Sequence, residues 1–147
     1  MRLEERAMLA MSAYDALLEN FNCFKATWAE TAGATPGARV TMKAPDAFTL
    51  FDGYDVDMVF SMVFDGDGTA WGKIIFRKAD QNVWTLYIDP LGRISDKIDA
   101  REPVLCQTVS NHYRFSELLF LLVDHYLNLP HFTEPAEKIK RGCSDDR

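Results

Sequence analysis

From Phe48 to Ile98 the apolar residues recur at every second position, and turn residues interrupt them at short intervals. Alternation of this kind belongs to strands with one buried face, because successive side chains on a strand point to opposite sides. The turn signals stand at Pro45-Asp46, Asp52-Gly53, Asp65-Gly66-Asp67-Gly68, Ala79 to Gln81 and Asp89-Pro90-Leu91-Gly92. Their spacing describes consecutive hairpins.

Parity then fixes the register, since a slip of one residue would turn a whole apolar row into water. Phe48 and Leu50 join the row Val56, Met58, Phe60, Met62, Phe64 only if the loop at Asp52-Gly53 has an odd number of residues, and three suffice. A five-residue loop at 65 to 69 pairs Phe60 with Ile74, Met58 with Phe76 and Asp57 with Arg77. Asp89-Pro90-Leu91-Gly92 has Pro where a type I turn needs φ near −65° and Gly where the following bulge needs positive φ. That loop aligns Ile88 with Ile94 and Trp84 with Ile98. One face therefore collects Phe48, Leu50, Val56, Met58, Phe60, Met62, Phe64, Ile74, Phe76, Trp84, Leu86, Ile88, Ile94 and Ile98, an agreement of pattern with turn chemistry that marks a consistent fold.

On either side of this region the period is helical. Leu3, Ala7, Ala10, Tyr14, Leu17, Phe21, Phe24 and Trp28 are spaced by fours and threes, the seam of an amphipathic helix, which Met11 and Leu18 widen. About 26 residues make a rod of about 39 Å, longer than a small sheet needs as cover, so its ends are expected to overhang. The bulk of Tyr14, Phe21 and Trp28 suits packing on a sheet better than a narrow coiled-coil seam. TAGATPG at 31 to 37 ends it. A further strand is expected from Pro103 to Val109. Ser110 or Asn111 then caps a helix carrying Phe115, Leu118, Leu119, Leu122, Val123, Tyr126 and Leu129, and Pro130 stops it. The expectation is one α+β domain: an antiparallel β-meander of about six or seven strands between about 39 and 109, helices over about 3–30 and 112–129 packed on it, and a polar tail from about 133. The likeness to helix-plus-curved-sheet architectures such as cystatin-like and helix-grip folds is one of fold alone and transfers no function.

With 147 residues, 48% of them hydrophobic and 12% aromatic, the chain can fill one core unaided. A net charge of −6 repels phosphate backbones and anionic lipid, which argues against nucleic acid and membrane surfaces as partners. Cys23, Cys106 and Cys143 are odd in number and lack CxxC spacing, pointing to a reducing, cytoplasmic setting. Arg2, Glu4, Glu5 and Arg6 precede a mixed stretch that reads as helix rather than secretory signal. LLFLLV at 118 to 123 is far short of the roughly 20 apolar residues a bilayer needs.

Six aspartates, Asp46, Asp52, Asp55, Asp57, Asp65 and Asp67, fall between Ala44 and Gly72 with no lysine or arginine. An EF-hand reading from Asp65 fails, because Ala70 stands where Gly is required and Phe76 where a bidentate Glu belongs. Hairpin-turn chemistry accounts for Asp-Gly-Asp-Gly without a metal. His112, His125 and His131 lack zinc spacing. His112 and Ser116 are one helical turn apart without a third group, Asp124-His125 sits on a polar helix edge, and Cys106 reads as a small buried hydrophobe. No phosphate loop or nucleophile elbow occurs. Neither a catalytic residue, a metal ligand nor a cofactor is assigned.

The opposite face of the sheet is more informative. There the register gathers Val59, Val63, Trp71, Ile75 and Tyr87 among Ser61, Lys73, Arg77 and Thr85. An apolar cluster with a polar rim needs cover, either from one of the chain's helices or from a second subunit. Two functional readings follow. The first is a non-catalytic interaction module, a homodimer using this face or the overhanging first helix, with a basic protein as the other fitting partner. The second is a binder of a neutral apolar small molecule, or an enzyme without a motif, whose pocket is lined by Phe21, Met58, Phe60, Met62, Phe76 and Trp84.

Overall fold

The computed structural model describes residues 2–98, 106–107 and 112–127. Its elements run α1 (Leu3–Ala34), a 3₁₀ turn (Pro36–Ala38), β1 (Val40–Ala44), β2 (Ala47–Leu50), β3 (Tyr54–Phe64), β4 (Ala70–Lys78), β5 (Gln81–Ile88), β6 (Arg93–Ser95), β7 (Cys106–Gln107) and α2 (His112–Leu127). Among the described residues the strands form one antiparallel sheet in chain order, each neighbour paired to the next.

The register follows the parity argument from Phe48 to Ile94. Leu50 pairs with Tyr54 across a three-residue loop. Phe60 pairs with Ile74, Met58 with Phe76 and Asp57 with Arg77 across the five-residue loop, and Ile88 pairs with Ile94. The Trp84–Ile98 pairing does not form. The Ser95 hydroxyl accepts the Lys97 N–H at 3.2 Å, a local turn that bends the chain off the ladder once β6 has ended at Ser95. One strand also holds a residue more than simple alternation allows. Phe76 pairs with Trp84 and Arg77 with Asn82, leaving Val83 as a bulge; Val83 and Trp84 are both buried in consequence.

Both helices lie on the face that carries Phe48, Phe76 and Leu86. Phe21 stacks on Phe60 at 4.9 Å, while Trp28 meets Phe76 at 5.1 Å and Phe48 at 5.4 Å. Leu118, Leu119, Leu122 and Tyr126 of α2 complete the same core. Asn20 fixes α1 along its axis, its side-chain amide donating to the carbonyls of Asp89 and Pro90 at 3.1 Å each. The helix continues to Ala34, beyond the expected end near residue 30. The Thr31 hydroxyl is occupied by a bond to the Thr27 carbonyl at 2.7 Å and Ala32 is buried, so the chain stays helical until Pro36, which cannot donate. The C-terminal side of the expected α2 and most of the expected strand from Pro103 to Val109 lie outside the described residues, as does the polar tail.

Candidate functional site

Val59 faces Ile75 across β3 and β4, Val63 faces Trp71, and Tyr87 faces Lys73, so the five outer-face residues do gather on the side of the sheet away from both helices. They are nevertheless sheltered. Val59, Val63, Ile75 and Tyr87 are half-buried and Trp71 is 8% exposed. Trp71 is tied down by its indole N–H, which donates to Asp65 Oδ2 at 2.9 Å.

Asp65 also accepts the N–H groups of Asp67 and Thr69 at 2.9 Å on its other oxygen. The bond from Trp71, followed by those from the loop backbone, holds its carboxyl below the usual carboxylate value. Asp89 repeats the design: Oδ1 accepts from the N–H of Leu91 and Arg93, and Oδ2 from Arg93 Nε at 2.7 Å. Gly68 and Gly92 supply the positive φ, +80° and +83°, at equivalent places in the two loops. The conspicuous aspartates at 65 and 89 therefore cap hairpins. Among the described residues no three His, Cys, Asp or Glu side chains cluster in a way that would hold a metal ion. His125 lies flat on Trp84 at 5.2 Å.

The residues expected to line a pocket are packed on one another. Phe21, Met58, Phe76 and Trp84 are core, and Phe76 stacks on Trp84 at 5.6 Å. Phe60 fills the space above Gly72, where an added Cβ would come within 2.7 Å of its ring and 2.6 Å of Ile88. Met62 lies at the rim, lining a shallow cavity of about 280 Å³ with Met11 and Tyr14.

The unsatisfied surface is elsewhere. The buried positions of α1 begin at Leu17; over the preceding 14 residues, about 21 Å of helix, the sheet is met only in part, by half-buried Ala10 and Ala13 and by Tyr14, whose ring lies 5.9 Å from Phe60. Between Arg6 and Asp15 the sequence is AMLAMSAY, with no charge and with Ser12 as its one polar side chain other than the Tyr14 hydroxyl. Leu3 is 80% exposed, Met8 67%, Leu9 58% and Met11 65%. At 100° per residue these four stand at about 0°, 140°, 240° and 80° around the axis, so the segment is apolar all round. Below it, the tip of the β3–β4 hairpin brings up Phe64, and the two enclose an open groove of about 560 Å³ lined by Leu3, Arg6, Leu9, Ala10, Phe64 and Ala70. Phe64 continues the core row but is 54% exposed, because the groove between it and the helix stays open. On α2, by contrast, exposed Phe120, Leu121 and Leu127 are interspersed with Glu117, Asp124 and His125.

Sequence reasoning assigned Leu3, Tyr14 and Phe64 to the core and did not single out Met8 or Leu9. The available signal was the missing charge from Ala7 to Tyr14, together with large apolar residues off the seam. Comparison with protein-family models, with curated proteins and with solved structures finds no match, so the reading of function rests on this geometry. Among the described residues no helix is long and apolar enough to cross a membrane.

Proposed function

We propose that the chain is a non-catalytic protein-interaction module that self-associates as a homodimer through the N-terminal half of α1, in preference to the outer sheet face. The observation that carries this reading is the eight-residue uncharged stretch, whose Met8, Leu9 and Met11 stand exposed on the sides turned away from half-buried Ala10 and Ala13. A helix apolar all round is normally buried, and a large contiguous apolar patch marks a contact surface. Leu3, Met8, Leu9, Met11, Tyr14 and Phe64, each 40 to 80% exposed, present about 700 Å² if a fully exposed large side chain counts for roughly 200 Å². That is close to the roughly 800 Å² each partner contributes to a stable complex. The outer face, with Trp71 already sheltered, offers less. The half-buried free thiol of Cys23 suits the reducing, cytoplasmic setting that goes with this reading.

Sedimentation equilibrium tests it. Wild type is expected at twice the 16.7 kDa chain mass, and Leu9→Asp, at an exposed position, at the single-chain mass with an unchanged circular dichroism spectrum. A wild type that stays single at high micromolar concentration rules the reading out. Dissociation by Ile75→Lys with none by Leu9→Asp moves the contact to the outer face.

A second reading keeps one observation in its favour: the groove beside α1 has the roughly 300–1,000 Å³ of a small-molecule site. A neutral apolar ligand retained in native mass spectrometry, and lost with Leu9→Asp, would carry it.

A further inference from the structure

We infer that the groove between α1 and the tip of the β3–β4 hairpin binds an aliphatic carboxylate, with its alkyl chain along the alanines of the helix and its head group on Arg6. This rests on the small-molecule reading above, names the class of ligand, and does not depend on self-association.

The hollow follows from the repeat of the helix. Eighteen residues make about five whole turns, so positions eighteen apart project from the same side. Leu3, Arg6 and Ala10 therefore share their directions with Phe21, Phe24 and Trp28, all three buried against the sheet. Where aromatic rings fill the space between the layers at one end of α1, a leucine, an arginine and an alanine face it at the other. The sheet turns small at the same level, since Phe64 is paired with Ala70 and Gly68 lies beside them in the wall. Short side chains on both layers leave about 560 Å³ open, within the roughly 300–1,000 Å³ of small-ligand sites. From Arg6 to Ala13 the helix rises about 10 Å, which gives the groove the length of a medium alkyl chain.

Charge selects the head group. Among the described residues lining the groove, Arg6 alone is charged, and no described carboxylate lies within ion-pair distance of its guanidinium. The nearby acids are turned elsewhere or engaged. Glu4 shares its direction with exposed Asn22, Glu5 meets Arg2 at 3.4 Å, and Asp65 is held by the Trp71 indole and its own loop amides. Helix α1 begins without a side-chain cap, so its positive dipole end adds to the field of Arg6. A planar guanidinium donates to both oxygens of a carboxylate, a match that a neutral ligand does not offer. The net charge of −6 opposes anions at long range, but it is screened beyond about 8 Å at physiological salt, and the contact is decided locally.

Isothermal titration calorimetry of the full chain tests this with three probes: decanoate, decanol with the same chain and no charge, and acetate with the head group alone. Decanoate is expected to bind roughly threefold to tenfold more tightly than decanol, the worth of an exposed but bidentate ion pair, and acetate to give no heat. Arg6→Gln, at an exposed position, brings decanoate to the affinity of decanol and leaves decanol unchanged. Ala10→Phe puts into the groove the kind of ring that Trp28 supplies further along, and abolishes binding of both with the circular dichroism of wild type. Equal affinity for decanoate and decanol, or decanoate binding that survives either substitution, overturns the inference while the small-molecule reading stands. Binding of neither probe removes both.

Discussion

Tyr126 shows how the core constrains a single ionisable group. Its ring is fully buried and meets Tyr54 edge-on at 5.6 Å. Burial foremost, then the neighbouring Tyr54 and Asp55, pushes its phenol up to about 12. A phenol in the unfolded chain ionises near 10, so the folded state resists an ionisation that the unfolded state accepts. Stability is complete below pH 10 and is lost as pH rises toward 12, by roughly 2–3 kcal/mol. Urea titrations at pH 9 and 12 should show that loss in wild type and much less of it in Tyr126→Phe; equal losses would place the alkaline sensitivity elsewhere. Gly72 is a second such residue. Gly72→Ala drives a methyl group against Phe60 and Ile88 and is expected to cost about 1–3 kcal/mol in chemical denaturation. The glycine itself was legible only as a break in a strand, since the two side chains that fill its space come from β3 and β5.

At the scale of elements, the hairpins were the most legible part of the chain. Loop length, strand parity and the Asp and Gly positions all point to one register from Phe48 to Ile94, and the ladder has it. Reading Asp89-Pro90-Leu91-Gly92 as a turn gave the φ pattern, whereas its buried carboxylate, with three donors and a clamp from Asn20 on the same loop, required the tertiary structure. Asp89→Ala strands those donors and should lower stability by about 2–3 kcal/mol. The comparable substitution at Asp65, which is only half-buried, should cost less and show as a changed Trp71 fluorescence. Equal costs would mean that burial does not set the worth of the cap. Ser95 turns the chain before Ile98 can pair, and the bulge at Val83 adds a buried residue that strict alternation excludes. The packing of the pocket candidates was not legible: alternation shows which residues share a face, but how tightly Phe21, Phe60, Phe76 and Trp84 fill the space between layers depends on their actual contacts.

For the molecule as a whole, the mismatch between a helix of 32 residues and the shorter sheet beneath it is what gives the fold a free end. The seam alone predicted that the rod would overhang. It did not show which end, because the same spacing continues from Leu3 to Trp28, and only the burial of the seam from Leu17 onward shows which end is closely covered. A helical segment of about fourteen residues, with an uncharged run of eight at its middle, is marginal when isolated in water, so its order should depend on association. Amide hydrogen exchange across residues 7–14, measured over a range of protein concentrations, tests this most directly. The account predicts protection in that segment that rises with concentration, while the amides of β3 and β4 stay constant. Fast exchange from Ala7 to Tyr14 at every concentration, in a protein whose core is fully protected, would contradict it.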